Sequence, residues 1–175
     1  MSTNKNRLPL PQAQEIALAV LAQIEPHCEV CSIAGSIRRE RPTIGDIEIV
    51  CVPRPYNATP LFRDGLAVVV EQWEKVKGEL PCRYTQRLLP CGMKLDLFMV
   101  DQRGWGLQLA IRTGSARWSH EVLAKSWVRA GYRSEGGLLY QGHGAGCRVV
   151  PVRTESELFR LIGLAWVHPR DREVA

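Results

Sequence analysis

The sequence has 175 residues, of which 45% are hydrophobic and 23% charged, and its formal net charge is +5. This length fits one compact domain, or one domain with a small appendage, and is enough to bury a core. The sequence contains no solenoid period, no coiled-coil pattern and no apolar run near the roughly 18 residues of a membrane-spanning helix. Repeat proteins and membrane-spanning proteins are therefore excluded.

The first half of the sequence alternates between helical and strand patterns. Apolar residues recur with helical spacing after Pro11, a residue suited to a first helical turn. Further on, two strand-like runs flank Pro90-Cys91-Gly92, which predicts a hairpin. In chain order, the predicted elements are a helix over 11–25, a strand over 29–34, a break at Gly35-Ser36, a strand over 46–52, a loop over 53–60, a helix over 64–76 and hairpin strands over 84–89 and 93–100.

The second half is predicted to be mainly helical and to begin after a boundary near residues 101–104. Ser115 suits the N-cap of one helix, which Gly131 ends, and Thr154-Glu155-Ser156-Glu157 is a capping box at the start of another. In chain order, the predicted elements are a short helix over 107–111, a helix over 117–130, small strands over 132–140, a glycine-rich loop over 141–146 and a helix over 154–164.

The six cysteines lie mostly in apolar, strand-like contexts, which indicates free thiols rather than a disulfide framework. Cys28 and Cys31 form a CxxC pair, but a zinc site would need a second pair, which the sequence lacks. Residues 1–7 contain no apolar signal core, so the chain is expected to stay inside the cell, in the cytoplasm. Two tryptophans on apolar helix faces, Trp73 and Trp166, are expected in the core.

Three acidic residues lie within apolar strand-like runs. Because strand side chains alternate between faces, Asp46 and Glu48 share one face. Asp96 lies between Leu95 and Leu97, and a carboxylate in such a run is costly to bury without a partner. An isolated Asp-x-Glu pair is more typical of a strand with a solvated acidic face. The addition of Asp96 favours a two-metal site for in-line displacement at phosphorus.

A glycine-serine turn precedes the acidic pair. Gly35 allows backbone N–H groups to come close to a phosphate, and Ser36 adds a hydroxyl donor. Arg39 supplies a charge-assisted hydrogen bond of roughly 1.5–3 kcal/mol. Together with the carboxylates, this turn indicates binding of a nucleoside triphosphate with divalent metals, and hence nucleotidyl transfer.

These residues resemble a known family, the nucleotidyltransferases of the DNA polymerase beta type, or DNA polymerase family X. The palm motif of the family, glycine-serine, two arginines and then G-D-x-D, is matched by Gly35-Ser36-Ile37-Arg38-Arg39 and Gly45-Asp46-Ile47-Glu48. Its threonine-glycine-serine at the entry to the thumb is matched by Thr113-Gly114-Ser115, and its closing thumb segment by residues 150–172. The resemblance covers most of the chain.

The resemblance implies an α+β fold: a polymerase-beta-like nucleotidyltransferase palm with a mixed sheet over 1–103, and a small α/β thumb over 104–175. It implies a polymerase that adds dNMP from dNTP to a primer 3′-hydroxyl, using two Mg²⁺ or Mn²⁺ ions. Asp46, Glu48 and Asp96 would be the catalytic, metal-binding residues, with Asp96 placed to deprotonate or orient the 3′-hydroxyl. The chain would be a minimal palm-plus-thumb form of the kind that viruses encode, without a lyase domain or fingers.

The resemblance also assigns ligands to the remaining motif residues. The partners are dNTP and DNA, as primer-template, gapped or nicked duplex, and a monomer acting in DNA repair or gap filling is expected. The residues expected to bind the nucleotide are Gly35, Ser36, Arg39, Gly45, Ile111, Arg112, Thr113, Gly114 and Ser115. The residues expected to bind DNA are Arg117, Trp118, Ser119 and His120.

Three departures from the family pattern bear on selectivity. Glu48 replaces the usual second aspartate, which lengthens one metal ligand by a methylene. Ile111-Arg112 stands where family polymerases usually carry an aromatic residue against the sugar, and Ser119 and Leu123 stand where repair members carry an asparagine and an arginine. These departures predict low fidelity and entry of ribonucleotides.

Two other functions remain open on the sequence alone. An aspartate-x-glutamate pair is also familiar in small-molecule nucleotidyltransferases of the antibiotic-modifying type, although the thumb-like half from Thr113 argues against one. A catalytically silent module that binds DNA ends would follow if Glu48 did not hold metal.

Overall fold

The computed structural model describes residues 7–54, 65–142 and 144–174. The chain divides into two compact units, Met1–Met99 and Val100–Ala175, each with its own hydrophobic core. Together the described residues form an α and β structure with a mixed sheet, as expected. None of the helices in these ranges is both long and apolar enough to cross a membrane. The assignment of residues 1–103 to a palm and 104–175 to a thumb stays a prediction.

The first unit combines a mixed sheet with three helices and a pair of two-residue strands. Its helices are α1 Leu10–Ile24, α2 Gly35–Arg38 and α3 Leu66–Glu71, with a 3₁₀ turn at Glu25–His27. Its strands are β1 Leu8–Pro9, β2 Cys28–Ile33, β3 Thr43–Ile44, β4 Ile47–Pro53, β5 Glu74–Lys77, β6 Tyr84–Leu88 and β7 Lys94–Met99.

Five of these strands form one sheet in the order β2-β4-β7-β6-β5. The central pair, β4 and β7, is parallel, while the other neighbours are antiparallel. β6 and β7 form the predicted hairpin, in which the Leu89 amide donates to the Met93 carbonyl at 2.9 Å. The strand that carries Asp96 thus pairs directly beside the strand that carries Glu48.

The core of the first unit lies on one face of this sheet. Alternate residues of the two central strands, Ile47 and Ile49 on β4 and Leu95 and Leu97 on β7, are fully buried. Helix α1 buries a stripe of the expected helical spacing against them, and Pro11 occupies its first turn as predicted. Because the core takes the odd-numbered residues, the even-numbered residues of β4 and β7 lie on the opposite face.

The helix predicted over 64–76 is shorter than expected. The structure ends α3 at Glu71, and Glu74–Lys77 form β5, the edge strand paired with β6. Trp73 lies between them and is 7% exposed, which confirms its place in the core. The apolar spacing suits a helix, but hydrogen bonding to β6 prevails over this local pattern. The predicted loop over 53–60 lies outside the described residues from position 55 onward.

The second unit is built from short helices and a three-stranded sheet. Its helices are α4 Trp105–Thr113, α5 Ala116–Trp118, α6 Lys125–Arg129 and α7 Glu155–Leu161, with a π-helical segment at Ser119–Ala124 and 3₁₀ turns at Gln102–Gly104, Gly144–Gly146 and Pro169–Asp171. Its strands are β8 Tyr132–Glu135, β9 Leu138–Gln141 and β10 Arg148–Val150, in the antiparallel order β10-β9-β8.

The helix ends of this unit follow the predicted caps. Ser115 Oγ accepts a hydrogen bond from the Trp118 amide at 3.2 Å, and Thr154 forms a complete capping box with Glu157. Helix α7 ends at Leu161, before the predicted residue 164, because Gly163 takes a left-handed conformation with φ +68°. A glycine at that position closes a helix without steric cost.

A buried cation lies in the core of the second unit. Arg172 is fully buried and forms an ion pair with Glu155. Its guanidinium carbon lies 5.7 Å from the ring centre of Trp118, 5.1 Å from Phe159 and 5.0 Å from Trp166. Trp166 is nevertheless 51% exposed, so the prediction that it is a core residue is wrong. Its ring contacts Arg172 and the ring of Phe159, and about half of the residue is exposed to solvent.

All six cysteines are free, as predicted. Cys31 and Cys51 are directly opposite each other in the β2–β4 pair. Burial, with smaller contributions from Cys28 and Glu25, raises the pKa of the Cys31 thiol to about 11. A hydrogen bond to Cys28 together with burial also raises the pKa of Cys51. Thiols of this kind stay protonated and unreactive at neutral pH.

Candidate active site

Two of the three predicted metal ligands lie side by side. Glu48 on β4 and Asp96 on β7 are direct partners in the parallel pair, so their side chains share the sheet face opposite the core. Neighbouring strands are about 4.8 Å apart, which brings two carboxylates within reach of one cation. Both residues are half-buried. The backbone pairing of β4 with β7 therefore brings these two carboxylates together.

Asp96 is held by two donors from the neighbouring strand β6. The Tyr84 hydroxyl donates to Asp96 Oδ1 at 2.6 Å, and Gln86 Nε2 donates to the same oxygen at 2.8 Å. Gln86 is the direct strand partner of Asp96, and Tyr84 is the partner of Phe98 two residues on. These contacts give the half-buried carboxylate the hydrogen bonds that its ionised form needs.

The glycine-serine turn packs against Glu48. The Ala34 amide donates to the Glu48 carbonyl at 2.8 Å, and Gly35 follows with φ +61°. A β-carbon at residue 35 would lie 1.7 Å from Glu48 Oε2 and 2.6 Å from its Cδ. Only glycine combines this left-handed conformation with so close an approach. The structure thus brings the glycine-serine turn and Glu48 together.

The other first-unit residues expected at the site lie near Gly35 and Glu48 in the sequence. Ser36 and Arg39 belong to the single turn around α2, and both are half-buried. Gly45 and Asp46 immediately precede β4 and are also half-buried. Asp46 stands two residues before Glu48, which places both on the same face if the extended backbone continues by one residue.

The donor set suits a hard divalent cation, although a complete ligand cluster is not formed. Carboxylate oxygens are the ligands that Mg²⁺ and Mn²⁺ prefer. Across residues 7–54, 65–142 and 144–174, the structure contains no group of three or more histidine, cysteine, aspartate or glutamate side chains arranged to hold a metal ion. The residues fit such an ion in chemistry and in the pairing of Glu48 with Asp96, whereas Asp46 is not gathered with them into one cluster.

The residues expected to bind the nucleotide in the second unit lie at the end of α4. Ile111 and Arg112 are half-buried in its last turn, and Thr113 is fully buried. Gly114 ends the helix, and a β-carbon there would lie 2.4 Å from the Trp118 ring. Thr113-Gly114-Ser115 therefore has a clear packing role, in which the glycine lets the following helix approach.

The four residues expected to contact DNA differ in exposure. Arg117 and His120 are exposed, and His120 Nδ1 lies 2.9 Å from Glu121 Oε1. Ser119 is half-buried and its hydroxyl donates to the Ile111 carbonyl at 2.8 Å. Trp118 is 3% exposed, with its ring stacked on Phe159 at 6.3 Å. Trp118 thus has a packing role in this unit, and a contact between its ring and DNA stays a prediction.

Comparison with curated proteins shows that the chain is similar to a DNA polymerase. The chain is 26% identical over 190 residues to DNA polymerase lambda from Rattus norvegicus. The match covers 96% of this chain and 33% of the polymerase, so the chain spans about a third of the length of that relative. No protein-family model matches the sequence. The chain is thus distantly similar to a DNA polymerase along nearly its whole length.

Tyr84 and Gln86 were not among the residues singled out in the sequence. The signal was nonetheless present, since both lie on the first strand of the predicted hairpin, at positions two apart. Once the hairpin loop is fixed at residues 89–93, the register places Gln86 opposite Asp96. A polar pair on alternate positions opposite a candidate catalytic carboxylate is therefore a usable sequence feature.

Proposed function

We propose that the chain acts as a DNA polymerase of family X, which adds dNMP from dNTP to a primer 3′-hydroxyl in gap filling or repair. In this proposal the polymerase-beta-like palm is residues 1–103 and the thumb is residues 104–175. The observation that carries the proposal is the parallel register of β4 and β7, which sets Glu48 opposite Asp96 beside the Gly35 turn. The similarity to DNA polymerase lambda supports the choice of DNA as substrate.

Asp46, Glu48 and Asp96 would hold two Mg²⁺ or Mn²⁺ ions. Such ions, when bound, neutralise triphosphate charge and lower the pKa of a coordinated hydroxyl. Asp96 is the residue proposed to orient the primer 3′-hydroxyl or accept its proton. Its fixed position on a central strand of the sheet suits that task, because small displacements of reacting groups are costly.

The turn at Gly35 is proposed to bind the triphosphate. Ser36 would donate its hydroxyl, and Arg39 would add a charge-assisted hydrogen bond, to the β- and γ-phosphates. Because Gly35 has no side chain, this turn can pack directly against Glu48. Phosphate and metal ligands would then be set by one rigid contact within the first unit.

The second unit is proposed to contribute nucleotide and DNA contacts of its own. The last turn of α4, with Ile111 and Arg112, would contact the nucleotide together with Thr113-Gly114-Ser115. Arg117 and His120 are exposed and would contact the DNA backbone, which positions a duplex without reading its sequence. The proposal includes the low fidelity expected from Ser119 and Leu123 and the ribonucleotide entry expected from Ile111-Arg112.

Primer extension with three forms of DNA tests the proposed reaction. Labelled primer alone, primer-template and gapped duplex are incubated with each dNTP and Mg²⁺ or Mn²⁺. We expect extension of the paired substrates, and a loss of at least about 100-fold in Asp46→Asn and Asp96→Asn, since a metal ligand contributes several kcal/mol to the transition state. DNA affinity should be unchanged in both variants.

The matched control is Glu74→Gln, which neutralises an exposed carboxylate on the edge strand of the same sheet. It should extend primers as the wild type does. Extension by Asp96→Asn at the wild-type rate would overturn the proposal. Transfer of AMP to a small hydroxyl compound without primer extension would favour the small-molecule nucleotidyltransferase, and DNA binding without either activity would favour the silent end-binding module.

A further inference from the structure

Asp96 Oδ1 accepts two hydrogen bonds from one neighbouring strand. The donors are the Tyr84 hydroxyl at 2.6 Å and Gln86 Nε2 at 2.8 Å. Both are neutral, and both lie on alternate residues of β6, on the same sheet face as Asp96. In the part of the chain that the structure describes, the second oxygen of Asp96, Oδ2, takes no hydrogen bond.

This asymmetry fixes the rotation of the carboxylate. The χ2 torsion of aspartate is broad and nearly two-fold, so an unsupported carboxylate exchanges its two oxygens readily. Two donors on one oxygen stabilise a single orientation and occupy its lone pairs. The remaining oxygen, Oδ2, keeps its full capacity for a cation or a hydroxyl.

The hydroxyl of Tyr84 is itself held in place. The Tyr84 ring stacks on Phe98, with ring centres 5.1 Å apart and an interplanar angle of 27°. Phe98 is 8% exposed and follows Asp96 by two residues on β7, as the direct strand partner of Tyr84. The aromatic contact and the hydrogen bond therefore join the same two strands, β6 and β7. Because the Tyr84 ring is held by this contact, its hydroxyl has a fixed position beside Asp96.

We propose that Tyr84 and Gln86 are positioning residues for Asp96, which hold Oδ1 so that Oδ2 is the oxygen offered to metal and primer hydroxyl. This inference rests on the proposed catalytic role of Asp96. Neither residue contacts the reacting atoms, and each acts through the carboxylate. Both donors are neutral, so neither adds a positive charge that would compete with a cation for Asp96.

Two substitutions remove the donors while keeping shape. Tyr84→Phe deletes the hydroxyl and retains the ring that stacks on Phe98, and Gln86→Met replaces the amide with an apolar group of similar length. The control is Tyr132→Phe, which removes a tyrosine hydroxyl from β8 in the second unit. Melting temperatures without metal should be similar in all three variants and the wild type.

The first measurement is Mn²⁺ affinity of the protein alone, by titration without DNA or nucleotide. We expect Tyr84→Phe and Gln86→Met each to weaken Mn²⁺ binding about tenfold, the usual effect of removing a group that supports a metal ligand. The second measurement is primer extension, in which kcat should fall about tenfold with an unchanged Michaelis constant for the nucleotide. Tyr132→Phe should match the wild type in both.

The two measurements separate this inference from the proposed function. Weaker Mn²⁺ binding in the variants of a protein that extends no primer would retain the positioning role and reject the polymerase. Primer extension and Mn²⁺ affinity that are unchanged in Tyr84→Phe and in Gln86→Met would overturn the positioning role while the polymerase stands. A wild-type protein that binds no Mn²⁺, or variants that lose only thermal stability, would also overturn it.

Discussion

Gly35 and Glu48 are packed so closely that a β-carbon at residue 35 would lie 1.7 Å from Oε2 of Glu48. The left-handed conformation of Gly35, with φ +61°, turns the chain back onto the strand that carries this carboxylate. The proposed phosphate-binding turn and one proposed metal ligand therefore determine each other's position. A change at either residue moves both.

Gly35→Ala should disable the site more than it destabilises the fold. The added methyl must displace Glu48, and a displacement of about 1 Å at a reacting centre lowers the rate on the order of 100-fold. Gly163→Ala is the control, because Gly163 has φ +68° and nothing lies within 4 Å of its β-carbon. Both substitutions place alanine in a left-handed conformation, so we expect urea unfolding to show a similar loss of stability in the two variants. Primer extension should fall in Gly35→Ala alone. Equal primer extension by the two variants would show that activity does not depend on the close contact between Gly35 and Glu48.

Glu48→Asp should change the metal preference. Shortening the side chain by one methylene draws the carboxylate back toward the β4 backbone, while its partner Asp96 stays in place. Mg²⁺ requires near-ideal octahedral distances and Mn²⁺ is more tolerant, so we expect the wild type to use both ions, faster with Mn²⁺, and the variant to lose more rate with Mg²⁺. Steady-state rates at several concentrations of each ion measure the ratio. A larger loss with Mn²⁺ would contradict this reasoning.

Misinsertion should be frequent, and ribonucleotides should be accepted. Ser119 stands where a base-contacting asparagine is usual, and its hydroxyl is bonded to the Ile111 carbonyl. A lost base contact costs roughly 1–3 kcal/mol of discrimination, or about 5- to 150-fold in misinsertion. Single-turnover insertion of matched, mismatched and ribonucleotide substrates measures both properties. High fidelity together with strong exclusion of ribonucleotides would mean that other residues perform both selections.

Arg172→Met should destabilise the second unit strongly. The substitution removes the cation that pairs with the buried Glu155, and breaking a buried ion pair in this way costs about 3–5 kcal/mol. The double variant Glu155→Leu with Arg172→Met should recover part of that loss. Lys125→Met, which breaks the exposed pair with Glu121, should leave the free energy of unfolding unchanged. Urea unfolding followed by tryptophan fluorescence gives all four values, and an equal effect of Arg172→Met and Lys125→Met would refute the prediction.

Cys31 should react slowly with alkylating reagents at neutral pH. Because its pKa is raised to about 11, the thiol is protonated below that value and the nucleophilic thiolate forms only as the pH rises through it. At pH 8 the thiolate fraction is roughly 100-fold below that of an ordinary cysteine. Mass spectrometry after iodoacetamide labelling compares Cys31 with exposed Cys91 between pH 7 and pH 11. Equal labelling of the two at pH 8 would rule out the raised pKa.

Local rules predicted the parts of the fold that depend on few residues. The capping box at Thr154, the serine cap at Ser115 and the hairpin between β6 and β7 were confirmed because a cap or a tight turn is decided by its own residues. The helix predicted through Val76 failed for the opposite reason. Residues 74–77 pair with a strand further along the chain, and an alternative partner cannot be seen in local periodicity.

Only part of the candidate site could be predicted from the sequence. The alternation of side chains along a strand predicted that Asp46 and Glu48 share one face. The position of Asp96 beside Glu48 depends on the parallel register of β4 and β7, which no local pattern determines. Trp118 shows that the exposure of a side chain is also difficult to predict from the sequence. Its neighbours Arg117 and His120 are exposed, while the ring of Trp118 packs into the core against Phe159. Exposure of a single helix residue depends on the helix orientation, which its neighbours in sequence do not determine.

The parallel pairing of β4 with β7 also has a consequence for folding. Hairpins such as β6–β7 close within microseconds, whereas a parallel pair between distant segments must first pay the entropy of closing a long loop. We therefore expect the pairing of Glu48 with Asp96 to form late, so that partly folded chains would lack a binding site for cations. Since only the native state would bind them, an ion at 100 times its dissociation constant would add about 2.7 kcal/mol to the free energy of unfolding. The urea midpoint would then report occupancy of the site without any turnover.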